Sequence, residues 1–272
     1  MKKLFCIFIL LSSIIVSICA ESYPFEGITY VVDLEEFFCF KKGVFEKKES
    51  VDIFESKITP YPCEIKKEGG YLVANLKNNN SIEKIYIFNA DRTHIIMYNS
   101  NSGETIVATE LKGAIDEPWI YPVFNVTSSS YLTETLNGKQ VSYPPENIRT
   151  HDVTKSWVEG VEGFGKGERI SFGNCGNGSR KIYIINGFFS PDKPSLFYDN
   201  NRIKTLKINC YKDGKLVSTQ FRELKDTGEM QLIEFTERYD SFDFIIEDVY
   251  PGKKYNDTAI SGIFVDALDC YR

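Results

Sequence analysis

Alternation of apolar and polar positions sets the first expectation for this chain. From Glu83 to Asn89, Ile85, Ile87 and their neighbours fill a strand; Ala90-Asp91-Arg92 supplies a turn, and His94 to Tyr98 reads as the returning strand of a hairpin. Ser100 to Gly103 is a second turn ahead of the β-branched run Thr105 to Ala108, and Lys77 to Ser81 marks the loop before the first strand. Val31 to Phe40 is ambiguous between a strand and a short helix. Later, Lys181 to Ile185 ends at Asn186-Gly187, and Thr205 to Tyr211 and Leu216 to Phe221 flank Asp213-Gly214. Both of those turn residues tolerate positive φ, so the pair predicts a tight hairpin. Its register places Leu206, Ile208 and Cys210 on one face and Lys207 and Asn209 on the other. Met230 to Phe235, Phe242 to Ile246 and Ile260 to Val265 complete a set of short strands, and no helix-period stretch of similar length occurs. The pattern predicts an all-β protein, with a small N-terminal β-rich domain over 21–126 and a β-sandwich over 151–272. Between them, 127–150 is rich in Ser, Thr and Asn and carries Pro144-Pro145, which suits a linker or a surface loop.

Residues 1–20 fall outside that pattern. Lys2 and Lys3 precede an apolar run from Leu4 to Ala20 that contains no acidic residue, the form of a signal peptide. The expectation is an exported protein, periplasmic, secreted or surface-associated. A lipid anchor at Cys19 stays open as the alternative, although Ile18 stands where a lipoprotein signal wants a small residue. Nothing else approaches the ~20 apolar residues of a spanning helix, so no transmembrane segment is expected in the mature chain.

The 272 residues, 42% hydrophobic and 26% charged, have the balance of a globular protein. Removing Lys2 and Lys3 leaves 30 basic residues against 38 acidic ones and takes the net charge from −6 to −8. The bases are interspersed with acids, which argues against nucleic acid as a partner. Of seven cysteines, five follow the signal: Cys39, Cys63, Cys175, Cys210 and Cys270. None form a short-spaced pair, and only His94 and His151 accompany them, so a tetrahedral zinc site is not expected. Export permits disulfides, Cys39 with Cys63 being the easiest bridge; buried free thiols are the equal alternative.

Catalytic machinery is sparse. Neither histidine has a nearby serine or cysteine in a nucleophile motif, and 38 acids make any single carboxylate pair uninformative. The glycines at 160, 163, 165 and 167 lack the Lys-Ser/Thr of a phosphate loop and any surrounding βαβ unit. No catalytic residue is assigned, and a binding role is expected.

One block is more distinctive than any strand: Ser156-Trp-Val-Glu-Gly-Val-Glu-Gly-Phe-Gly-Lys-Gly-Glu168. Together with Asn186-Gly187, Tyr198-Asp-Asn-Asn-Arg-Ile-Lys204, Asp248-Val-Tyr-Pro-Gly252 and Tyr255-Asn-Asp-Thr-Ala-Ile-Ser261, it resembles the NADase-type glycan-binding domain. That family is a discoidin-like branch of the galactose-binding jelly rolls, named after the non-catalytic domain of bacterial NAD-glycohydrolase toxins. The resemblance runs from about Val153 to Asp269 and implies a jelly roll that binds glycans or glycoconjugates. The last strand departs from the family pattern Cys-Ile-Ser-Glu, having Ala259-Ile-Ser-Gly262 instead. Loss of that carboxylate puts a structural calcium in doubt, and no cofactor is expected.

Sugar recognition needs an aromatic face together with amides, carboxylates or arginine for the hydroxyls. The candidates are Asn200, Asn201 and Arg202, whose alternative is a turn entering a strand; Phe188, Phe189 and Tyr198 as a stacking surface; and Trp157, whose alternative is the sandwich core. Glu159, Glu162 and Glu168 are weighed against solvation or loop stapling, and Asp257 against a turn role. A protein partner in the cell envelope, with the sugar site decayed, is the competing function.

Overall fold

The computed structural model describes residues 23–32, 36–50, 56–89, 91–111, 120–173 and 176–271. The signal-like segment, Cys19 and Cys175 lie outside them. Eight strands come first: β1 (Thr29–Val31), β2 (Glu36–Lys41), β3 (Val44–Ser50), β4 (Ser56–Glu68), β5 (Tyr71–Asn78), β6 (Ser81–Asn89), β7 (His94–Asn99) and β8 (Glu104–Glu110). Each pairs antiparallel with the next, and Tyr30 and Val31 pair with Glu110 and Thr109 to close a barrel. The β-rich domain is thus a closed up-and-down barrel, a form that leaves no unpaired edge. Val31 to Phe40, ambiguous in sequence, supplies strands β1 and β2. The barrel interior is filled by Phe25, Tyr30, Phe38, Phe40, Leu72, Ile85, Ile87, Ile95 and Met97, among others.

The second unit comprises β9 (Ile120–Pro122), β10 (Phe124–Ser128), β11 (Thr133–Leu136), β12 (Lys139–Ser142), β13 (Trp157–Val158), β14 (Arg169–Gly173), β15 (Ser179–Asn186), β16 (Arg202–Lys212), β17 (Lys215–Glu223), β18 (Met230–Tyr239), β19 (Ser241–Tyr250) and β20 (Ala259–Asp266). Short helices α1 (Leu196–Asp199) and α2 (Ala267–Tyr271) interrupt and end it. One sheet runs β10-β14-β19-β16-β17, and the sheet facing it runs β13-β20-β15-β18, with β9 added on β20. The Asp213-Gly214 turn joins β16 to β17 with φ of 50° and 70°, and Leu206, Ile208 and Cys210 are fully buried, the register read from sequence.

The segment 127–150 is not a linker. β10 pairs with β14 at the edge of one five-stranded sheet, β11 and β12 form a hairpin, a 3-10 turn spans Pro145–Ile148, and Ile148 lies in the sandwich core. Its Ser/Thr/Asn content serves turns and exposed hairpin positions, which composition does not separate from a tether.

β15 shows why the sandwich strand around Ile182-Tyr-Ile-Ile185 is apolar at every position. Ile182 and Ile184 face the sandwich core with Trp157, Phe242 and Phe244, while Tyr183 and Ile185 point the other way. There they join Phe264 and Met230 from the same sheet and Tyr71, Tyr86, Phe88 and Tyr98 from the barrel. The protein therefore has three layers, with one sheet buried on both faces between its partner sheet and the barrel, the condition under which strands lose polar alternation. His94 and His151 both belong to this junction. His94 Nε2 lies 3.5 Å from Asp266 Oδ2, and its ring meets Tyr183 edge-on. His151 stacks on Phe264 and donates from Nε2 to Ile120 O at 2.8 Å, and burial lowers its pKa.

Cys39, Cys63 and Cys210 are free thiols, so the Cys39 to Cys63 bridge does not form. Cys270 is disulfide-bonded. No helix among the described residues is long and apolar enough to cross a membrane.

Candidate functional site

Segments distant in sequence meet at one end of the sandwich. Glu159 N donates to Thr258 O at 3.1 Å, Thr258 Oγ1 to Phe164 O at 2.8 Å, and Asn201 N to Asp257 O at 2.9 Å. Ser261 Oγ donates to Gly187 O at 2.8 Å and accepts from Phe189 N at 2.9 Å, tying the 187–198 loop to β20. The glycine-rich loop, the loop after β15 and the loop before β20 therefore form one structure.

Much of what sequence offered as ligand-binding serves to hold this structure together. Arg202 is 4% exposed. Its Nε and Nη2 bond both oxygens of Asp226 at 3.0 Å, and its Nη1 reaches the carbonyls of Asn200 and Pro251 at 2.8 and 3.2 Å. The guanidinium also lies over the rings of Phe197 and Tyr198. Asn201 accepts from Gly252 N at 2.6 Å and donates to Asn256 O, and Asn200 donates to Leu196 O at the end of α1. All three are buried, with their polar groups turned to the chain itself, so the Asn200-Asn201-Arg202 cluster is a latch and not a ligand face.

Trp157 is likewise in the sandwich core, its Nε1 donating to Ser130 O at 3.0 Å. Glu159 is fully buried and accepts from Val161 N at 2.9 Å and Thr258 N at 3.3 Å, while burial raises its pKa. Two of the four loop glycines now have their reason. A Cβ on Gly160 would lie 2.3 Å from Tyr131 O, and one on Gly165 would lie 2.6 Å from the Glu159 carboxyl carbon. Tyr198 is half-buried, with Arg202 and Lys253 over its ring. Glu162 is exposed on the loop.

Phe189, offered with Phe188 as a stacking face, is fully buried, and what remains open is a small patch around Phe188. Phe188 is half-buried, and its ring packs edge-on against Tyr143 with centroids 5.8 Å apart. Tyr143, also half-buried, donates from its hydroxyl to Glu134 Oε1 at 3.0 Å. Asp257 stands near enough for its charge to be felt by Tyr143, and for Glu134 to help burial raise the Asp257 pKa. Tyr143 and Glu134 were missed because they fall in the segment read as a linker; the alternation of the β11–β12 hairpin was the available signal. A cleft of about 300 Å³ lies elsewhere, where Asn89 of the barrel meets Arg222, Lys225 and Gln231, and holds none of these residues.

No cluster of His, Cys, Asp or Glu suited to a metal occurs among the described residues. Gly262, where the resemblance called for a carboxylate, pairs with Ile185 inside β20, and a Cβ there would lie 2.6 Å from the Phe264 ring. Phe264 faces the barrel, so the departure from the family pattern accompanies the third layer.

The family model of the NAD glycohydrolase translocation F5/8 type C domain matches residues 121–266, more than half of the chain. The chain belongs to that family. The match begins at β9 and so takes in the β11–β12 hairpin along with Tyr143 and Glu134, whereas the motifs read in sequence began only near Val153. Similar solved structures include a family 32 carbohydrate-binding module from Clostridium perfringens NanJ in complex with galactose, at 11% identity and TM-score 0.39 over 54% of this chain and 98% of that one. Another is the CpGH89CBM32-5 module of Clostridium perfringens in complex with GalNAc-β-1,3-galactose, at 12% identity and TM-score 0.41 over 53% and 94%. The lectin domain of Lectinolysin complexed with Lewis B antigen aligns at 9% identity and TM-score 0.35 over 52% and 91%. No curated protein matches.

Proposed function

We propose that this is an exported, non-catalytic glycan-binding protein whose site is the Tyr143–Phe188 ring pair flanked by Glu134 and Asp257. The observation that carries the reading is this partly buried ring pair set edge-on, with Glu134 bonded to the Tyr143 hydroxyl and the Asp257 charge felt by Tyr143, at the end of the F5/8 type C domain where its loops converge. An aromatic face takes the apolar side of a pyranose ring, and carboxylates accept from its hydroxyls. The same two carboxylates repel acidic sugars, so the ligand class is neutral glycans. Export rests on the signal-like residues 1–20, and absence of catalysis on the structural placement of both histidines at the junction with the barrel.

Binding to immobilised desialylated mucin, with and without calcium, tests this. The wild-type chain binds the desialylated mucin more tightly than the sialylated form, and Tyr143→Ala removes binding while leaving the thermal midpoint within a few degrees. Equal binding by Tyr143→Ala sinks the assignment of the site.

A second reading, docking of an envelope protein, is favoured by exposed Tyr131, Leu136, Val161 and Tyr255 on the same loops. It wins if Val161→Asp and Tyr255→Asp release a partner cross-linked on cells while mucin binding is absent from the wild type.

A further inference from the structure

The barrel has no role in the reading above, yet its side chains reach the loop that carries Phe188. Tyr71 of β5 donates from its hydroxyl to Phe188 O at 2.9 Å, and Tyr86 of β6 donates to Pro191 O at 3.2 Å. The next residue, Phe189, is fully buried among the rings of Tyr71, Tyr86, Phe88 and Tyr98, with centroids 5.0, 5.0, 5.1 and 5.6 Å away. The turn between β4 and β5 completes the grip. A Cβ on Gly70 would lie 2.4 Å from the Phe197 ring, and one on Gly69 would lie 2.6 Å from Pro194 O. Along this loop the chain therefore alternates: Phe189 is anchored in the barrel, while Phe188 turns to Tyr143.

We propose that the barrel is a positioning element for the glycan site, and that Tyr71 is the residue that fixes Phe188. This rests on the glycan-binding reading above. A carbonyl held at 2.9 Å by a buried phenol restricts the peptide on which the Phe188 ring is mounted, and an aromatic platform held in place before binding loses less conformational freedom when the sugar arrives. The hydroxyl stays protonated as a donor, since burial holds the Tyr71 pKa well above its ordinary value. The covering of loop 187–198 by the barrel also explains why the polar cluster at 200–202 faces inward: the latch and the barrel hold the two ends of one segment.

The test uses the full chain with 4-fluorophenylalanine at position 188 and desialylated mucin as probe. Tyr71→Phe removes one hydroxyl and keeps the ring, and Tyr98→Phe is the control because its ring packs on Phe189 at 5.6 Å without bonding a described carbonyl of the loop. In Tyr71→Phe the fluorine resonance broadens or splits, and mucin binding weakens about fivefold, the cost of ordering one side chain at the moment of binding; Tyr98→Phe keeps the wild-type spectrum and affinity. An unchanged fluorine spectrum in Tyr71→Phe overturns the positioning role whatever the mucin result. A changed spectrum with unchanged affinity overturns the link to binding. A changed spectrum in a protein whose wild type binds no mucin supports the grip on Phe188 and sinks the glycan reading separately.

Discussion

Replacing Phe189 by alanine tests the three-layer architecture most directly. The side chain is fully buried, and four barrel rings lie within 5.6 Å of its centroid, all edge-on to it. Truncating a buried phenylalanine costs about 3–5 kcal/mol. Here the upper part of that range applies, because edge-to-face contacts add about 0.5–1.5 kcal/mol beyond area and two rigid β units bracket the cavity. At about 2–4 °C per kcal/mol for chains of this size, the midpoint falls by about 10 °C. Urea unfolding in a Trp119→Phe background, where Trp157 of the sandwich core is the sole tryptophan, followed by fluorescence and by far-ultraviolet circular dichroism, which reports both units, separates two outcomes. If the junction is a shared core, the wild type unfolds in one transition and Phe189→Ala lowers its midpoint or splits it in two. A loss below about 1 kcal/mol with both probes still coincident would mean the barrel merely rests against the sheet, refuting the third layer as a source of stability.

Arg202→Ala leaves Asp226 and the carbonyls of Asn200 and Pro251 without their guanidinium partner; a loss of about 3 kcal/mol is expected by chemical denaturation, with Asp226 half-exposed and so only partly penalised. Cys270→Ser removes a disulfide and lowers stability by about 2–4 kcal/mol in non-reducing denaturation, while the wild type under reductant moves to the same value. Acidity acts in two directions. Glu159 and Asp257 have pKa values raised by burial, so the folded state holds their protons more tightly than the unfolded one, and stability rises as pH falls from neutral towards the ordinary carboxylate range. Glu237 and Asp248 are lowered by Lys212 and Lys204, both pairs exposed, so their small contribution is present above the ordinary carboxylate range and lost below it. Because His151, its pKa lowered by burial, costs stability over the same range as the unfolded state takes up its proton, the sign is read against Glu159→Gln: the wild type gains on that variant from pH 7 to pH 5, and a wild type that loses ground to it contradicts the placement of Glu159.

The parts of the fold that were legible depended on contacts near in sequence. The Asp213-Gly214 turn fixed the β16–β17 register because both positive-φ residues and the alternating strands lie within a dozen positions of one another. The same means show β6, β7 and β8 of the barrel but not β3, β4 and β5, and the Lys77 to Ser81 loop joins β5 to β6 instead of preceding the first strand; closure was not legible either, since pairing Tyr30 with Glu110 leaves no local trace. Hydrophobicity at every position of Ile182 to Ile185 did carry news of the third layer. A strand with water on one face alternates, and this one does not because Tyr183 and Ile185 meet the barrel.

The site was harder for a related reason. A ligand cluster and an internal latch draw on the same residues, amides and a guanidinium next to a turn, and they differ only in what stands opposite. For Arg202 that is Asp226, and for Asn201 it is the backbone of Gly252 and Asn256. These partners come 24 to 55 residues later in the chain, beyond the reach of any local pattern. Phe188 and Asp257 stay partly covered instead, neither side chain closed off in the way of Arg202. Their neighbours Tyr143 and Glu134 sit in a hairpin whose Ser/Thr-rich surroundings disguised its alternation. For a loop-built patch of this sort, the polar residues that look most like a site in sequence are the ones the loops need to hold their shape. The residues left for the ligand are then those that the fold leaves half-covered.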